Sequence, residues 1–117
     1  MKRLLYAALN SLRGLAQAVG SEAAVRQEVA VLALAVPIGL FLAPSAGWYV
    51  AMVGSLLLVL TVELLNTATE KLADHVAPEQ HPSVGRVKDY GSAAVASALL
   101  LAGLIWLTAL AVRAGLI

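Results

Sequence analysis

An all-helical membrane protein, with three spanning helices and an amphipathic helix lying along the interface, is the fold class that three features of the sequence predict. The 117 residues are 61% hydrophobic and 13% charged, against roughly a quarter charged in soluble domains. Residues 29–62 and 90–112 contain no charged side chain. About 20 apolar residues cross a bilayer, so the first stretch is too long for one span. Leu-Ala-Pro-Ser-Ala-Gly-Trp at 42–48 divides it in two. A formal net charge of +1 gives no basis for nucleic-acid binding. The absence of cysteine excludes disulfides, thiolate metal sites and a cysteine nucleophile. Asp, Glu and His remain for metal binding or acid–base work.

The elements follow in order. Over residues 3–19, Arg3, Tyr6, Asn10, Arg13 and Gln17 share one side of a helix, and Leu5, Ala8, Leu12, Leu15 and Val19 the other. That pattern suits a helix in the membrane interface with its basic face toward lipid headgroups. Gly20-Ser21 reads as a break with Ser21 as N-cap. Glu22 and Arg26 stand at i, i+4, the spacing of a helical ion pair. The spans are predicted at about 22–43, 47–76 and 86–112, with Pro37 able to kink the first and a polar loop at 77–84. The third span opens with small residues, Gly-Ser-Ala-Ala-Val-Ala-Ser-Ala at 91–98, which let membrane helices approach closely. Lys2, Arg3, Arg13, Arg26, Lys71, Arg86 and Lys88 lie at the N-terminus or around the second connection. The positive-inside rule then puts those parts in the cytoplasm and the C-terminus outside, with Trp48 and Trp106 toward the outer interface. His75 and His81 read as solvated loop residues.

Function is expected at the polar end of the second span, in Val-Glu-Leu-Leu-Asn-Thr-Ala-Thr-Glu-Lys-Leu-Ala-Asp-His-Val at 62–76. On a 3.6-residue period Glu63, Asn66, Glu70 and Asp74 occupy less than about a third of the circumference. A charge in a spanning helix costs a few kcal/mol, so such residues mark function by default. Counted from Trp48 at 1.5 Å per residue, Glu63 lies roughly 22 Å deep and Glu70 roughly 33 Å, in a hydrocarbon core about 30 Å thick. Topology brings Glu22, Arg26, Glu28, Arg86, Lys88 and Asp89 to the same surface. A carboxylate at the depth of Glu63 can take the proton of a buried lipid hydroxyl. Carboxylates at the boundary can share a divalent cation with phosphates. Lys88 or Arg86 can neutralise phosphate oxygens. Together these are the parts of a phosphoryl transfer, although neither common glycine-rich nucleotide loop occurs. The same residues could instead build a cation pathway or a polar seam between helices.

Three motifs, Glu-Ala-Ala-Val-Arg-Gln-Glu (22–28), Val-Glu-Leu-Leu-Asn-Thr-Ala-Thr-Glu (62–70) and Gly-Arg-Val-Lys-Asp-Tyr-Gly-Ser-Ala-Ala-Val (85–95), occur in an order and at separations that resemble the small integral-membrane diacylglycerol kinases of bacteria. The resemblance covers about residues 3–112. It implies a homotrimer in the inner membrane with sites shared between subunits, and Mg²⁺-dependent transfer of the ATP γ-phosphate to 1,2-diacylglycerol. It implies Glu63 as general base, with Asn66 and Lys88 beside it in catalysis, and Glu22 and Glu70 as metal ligands. Nucleotide contacts would come from Glu22, Asn66, Glu70, Gly85, Arg86, Lys88 and Asp89, and lipid contacts from Glu28, Glu63 and Ser92; Arg3 suits either a lipid headgroup or the nucleotide. The chain departs from the family in lacking its usual tryptophans in the surface helix, in Tyr90 where methionine is usual, and in Thr67 and Thr69. A sister group of the same fold phosphorylates undecaprenol; the third motif here stands nearer the diacylglycerol group.

Overall fold

The computed structural model describes residues 1–79 and 81–117. It consists of four helices, α1 (Lys2–Ser21), α2 (Ala23–Leu42), α3 (Ala46–Val76) and α4 (Pro82–Arg113), with no strand among the described residues. Helices α2, α3 and α4 are long and apolar enough to cross a membrane, with mean hydropathies of 1.7, 2.0 and 2.3 in their most apolar windows. Successive helices pack on one another, and the α3–α4 contact is the most extensive. None of the residues of α1 is fully buried; Leu15, Ala18 and Val19 are half-buried on the side where it meets α2.

The helix ends have local causes. Ser45 caps α3 by accepting a hydrogen bond from the Trp48 N–H at 3.3 Å. At the far end of α4, Leu116 N–H returns to the Ala111 carbonyl and Gly115 N–H to the Val112 carbonyl. This Schellman closure needs a left-handed residue, and Gly115 supplies it with φ of 76°.

Three expectations are corrected here. Ser21 is not an N-cap: α1 runs through it, its hydroxyl donates back to the Gln17 carbonyl, and the chain breaks at Glu22, which is extended. Helix α4 begins at Pro82, about four residues before the expected start. Proline has no N–H to lose at the first helical position, and the His81 imidazole accepts from the Ser83 N–H at 3.1 Å, so a histidine read as a solvated loop residue is a helix cap. Trp106, expected toward the outer interface, has a protein partner as well. Its indole N–H donates 2.9 Å to the Met52 carbonyl on α3, as an indole enclosed by apolar helices needs an acceptor.

The packing faces are regular. Val25, Glu28, Leu32, Ala35 and Gly39 line one face of α2, and all are buried or half-buried. On α3 the buried stripe runs Met52, Ser55, Val59 and continues, half-buried, through Glu63, Asn66 and Glu70. On α4 it runs Gly91, Val95, Ala98, Ala102, Ile105 and Ala109. Val59, Ala98 and Ala102 form the core cluster, with Leu56 and Val62 packed against it. Small side chains on α4 let the two backbones close without a hydrophobic driving force from lipid. At the α2–α3 turn Gly39 plays the same part: a Cβ there would sit 3.2 Å from the Tyr49 ring, whose hydroxyl donates 3.0 Å to the Val36 carbonyl beside Pro37. Leu34, Phe41, Leu100, Leu104 and Leu107 are exposed, as lipid-facing residues of spanning helices would be.

Candidate active site

The polar face of α3 is the direct continuation of its apolar packing face. Residues at 52, 55 and 59 fill the core, and the same 3–4 residue spacing delivers Glu63, Asn66 and Glu70 to the gap between α2 and α4. The half-buried position of all three follows from that register. Asp74, one turn further, is exposed and leaves the group.

The structure gathers five of the expected site residues. Glu63 lies close enough to Glu70 and Glu22 for their charges to act on it, and Glu28 feels the charge of Glu63. Asn66 Nδ2 donates to Glu70 Oε1 at 3.4 Å, linking the fifth residue to this acidic group. Two acceptors are buried without a partner among the described residues, Glu28 Oε2 and Asn66 Oδ1. Such an orphan costs about 1–3 kcal/mol. A positive charge that faces the group is Lys71, whose Nζ is 3.7 Å from Glu22 Oε1, a long pair with an exposed lysine worth at most about 1 kcal/mol; Lys88 also lies close enough to Glu70 to feel its charge.

Several local pairings differ from the simplest readings of the sequence. Arg26 does not pair with Glu22; its Nη1 donates 3.0 Å to the Val19 carbonyl and closes the α1–α2 junction. Lys88 does not pair with its neighbour Asp89 but with Asp74 of α3, Nζ to Oδ1 at 2.9 Å. Arg3, Arg86, Asp89 and Ser92 are exposed, as is Gly85. None of these five has a side-chain hydrogen bond or ion pair to the acidic group among the described residues. Gly91 is the residue whose place the sequence did not announce. A Cβ at this position would lie 2.9 Å from Asn66 Cγ and would overlap Oδ1, so α3 and α4 touch backbone to amide here. The run of small residues at 91–98 signalled a close helix approach, not the partner.

No group of three or more His, Asp or Glu able to hold a metal occurs among the described residues. The carboxylates present suit a hard divalent cation. Glu22, at the extended break between α1 and α2, and Glu70 on α3 offer hard carboxylate oxygens, and Mg²⁺ is commonly held by one or two carboxylates completed by phosphate and water. A self-sufficient protein cage, as for a structural metal, is not present among the described residues.

An all-helical membrane protein with a carboxylate cluster sunk into its helix packing, at the end where its basic residues collect, has the features of an enzyme acting at the lipid–water boundary. The chain belongs to the prokaryotic diacylglycerol kinase family, whose model matches residues 9–110. It is similar to a diacylglycerol kinase of Escherichia coli K12, 42% identical over 89% of this chain and 85% of the relative. It is also similar to those of Pseudomonas aeruginosa, 41% identical over 94% and 89%, and of Haemophilus influenzae, 37% identical over 91% and 90%. It is therefore a kinase, multi-pass in the membrane, of a family named for diacylglycerol; such kinases use a nucleotide and typically a divalent metal.

Proposed function

We propose that this kinase transfers the γ-phosphate of ATP to the free hydroxyl of 1,2-diacylglycerol, giving phosphatidic acid and ADP, at the α2–α3–α4 end that carries Glu63. The observation that supports this reading most is the change of the α3 packing face from apolar to carboxylate at Glu63 without a change of register. A lipid hydroxyl entering from the bilayer would meet Glu63 first, and phosphates arriving from water would meet Glu70 and Glu22.

In this reading Glu63 accepts the hydroxyl proton as the lipid oxygen bonds to the γ-phosphorus and the bond to the β,γ-bridging oxygen breaks. Asn66 holds Glu70 through its amide and lies beside the reacting groups. Glu22 and Glu70 would hold Mg²⁺, which when bound supplies charge to the phosphate oxygens. Lys88 exchanges Asp74 for a phosphate oxygen, an inexpensive exchange for so exposed a pair. Arg86, Asp89 and Gly85 border the nucleotide, and Arg3, Glu28 and Ser92 the lipid headgroup. The orphaned acceptors Glu28 Oε2 and Asn66 Oδ1 call for donors from substrate or from a neighbouring subunit. The assembly would be a homotrimer in the bacterial inner membrane, with sites completed between subunits and the N-terminus and active site cytoplasmic.

The test is transfer of label from [γ-³²P]ATP in mixed micelles with Mg²⁺, offering dioleoylglycerol and undecaprenol side by side. Label in phosphatidic acid that disappears in Glu63→Gln is the expected result. Label mainly in undecaprenyl phosphate would change the acceptor and keep the machinery. Unchanged turnover in Glu63→Gln would remove Glu63 as the base.

A further inference from the structure

We propose that Gly91 is a positioning residue for phosphoryl transfer: the missing side chain on α4 is what lets the Asn66 amide lie across the helix contact and hold Glu70. The inference rests on the reading of Asn66 and Glu70 as site residues. Among the described helical glycines, Gly14, Gly20, Gly54, Gly85 and Gly103 face open space, and Gly47 has only an ordinary contact with Ser45 Oγ. Gly39 and Gly91 are tightly faced, and they do different work. Gly39 receives the apolar ring of Tyr49, a packing contact at the α2–α3 turn. Gly91 receives a polar group, Asn66, at the carboxylate end of the bundle.

The orientation of that amide follows from its two contacts. Nδ2, the donating end of the amide, meets Glu70 Oε1 at 3.4 Å. Oδ1 then points the other way, against α4, where it is buried and unpartnered. A Cβ on residue 91 would overlap Oδ1 and stand 2.9 Å from Cγ. The amide is the mobile end of a short side chain, while the helices are held by Val59, Ala98 and Ala102 further along. The side chain therefore swings aside, the helices stay in place, and the hydrogen bond to Glu70 is lost. Alanine also favours helix over glycine, so the substitution does not weaken α4 itself.

The experiment is a double-mutant cycle on the full chain: wild type, Asn66→Ala, Gly91→Ala and the double variant, each assayed for diacylglycerol phosphorylation across a Mg²⁺ titration. Heat unfolding in detergent is followed in parallel. Gly91→Ala is expected to lower kcat/KM about tenfold or more and to raise the half-saturating Mg²⁺ concentration, with unfolding unchanged. In the Asn66→Ala background the second substitution is expected to cost less than about twofold, because the group it displaces is gone. Losses that multiply would overturn the proposal, as would wild-type activity in Gly91→Ala. Lower unfolding temperatures for Gly91→Ala in both backgrounds would mark a packing role and overturn it too. Full activity in Asn66→Ala would remove the site reading, and this inference with it, on a variant that does not touch Gly91.

Discussion

The two halves of the α3–α4 contact share one register and do opposite things. In the half near Ser45, Met52, Ser55 and Val59 on α3 and Ala98, Ala102 and Ala109 on α4 are all buried, a closed seam in which Val59 packs with Ala98 and Ala102. The polar groups there are satisfied: Ser55 Oγ donates to the Met52 carbonyl at 2.7 Å, and Trp106 donates to the same carbonyl. In the half near the 77–81 connection, the same faces carry Glu63, Asn66 and Glu70 against Gly91. Carboxylates crowd there, the hydrogen bond from Asn66 to Glu70 is 3.4 Å long, and Asn66 Oδ1 has no partner; the shorter Lys88–Asp74 pair lies further out, at the exposed rim. One half is built to be stable. The other tolerates unsatisfied polar groups at a cost of about 1–3 kcal/mol each, which is the mark of groups waiting for a ligand.

Substitutions should separate the halves, beginning with the largest effect. Glu63→Gln keeps the shape of the side chain and removes the base; turnover should fall by about 10² to 10⁴, with assembly intact. Activity per folded protein, compared with the unfolding temperature in detergent, decides it, and a parallel fall in both would erase the contrast. Ala102→Leu in the closed seam should do the reverse. Overpacking between two backbones costs about 1–3 kcal/mol, visible as a lower unfolding temperature, while the fraction that remains folded keeps its Mg²⁺ dependence. Glu70→Gln should raise the half-saturating Mg²⁺ concentration about tenfold, equivalent to about 1.4 kcal/mol of binding. A Mg²⁺ titration at saturating ATP reads it, and an unchanged midpoint would remove Glu70 from the metal site. The smallest expected effect is Trp106→Phe, which deletes the N–H bonded to Met52 and should cost about 1 kcal/mol of stability. A change in its Mg²⁺ response would show that the two halves are coupled.

Much of this was legible along the chain. The two uncharged stretches placed three spanning helices, and the 3.6-residue period put Glu63, Asn66 and Glu70 on one face. Those are consequences of composition and of helix geometry, which act over a few residues. Asp74 marks the limit of that reasoning, because it belongs to the same stripe by period yet is exposed and bonded to Lys88. Periodicity says which residues share a face; how far along the helix the neighbour extends is decided by the neighbour.

The start of α4 at Pro82 was within reach of local rules, since His81-Pro82-Ser83 carries a cap and a first-turn proline. The pairings were not. Glu22 with Lys71 and Lys88 with Asp74 join helices at separations where i, i+4 rules say nothing. Gly91 is the plainest case. In the sequence it is one small residue in a run of them, and in the folded chain it is the one opposite Asn66. Helix formation and membrane insertion are governed by local hydrogen bonding and transfer energies, which a linear sequence carries directly. The meeting of a particular glycine with a particular amide depends on the axial offset of two helices, and that offset is fixed only when Val59, Ala98 and Ala102 have packed.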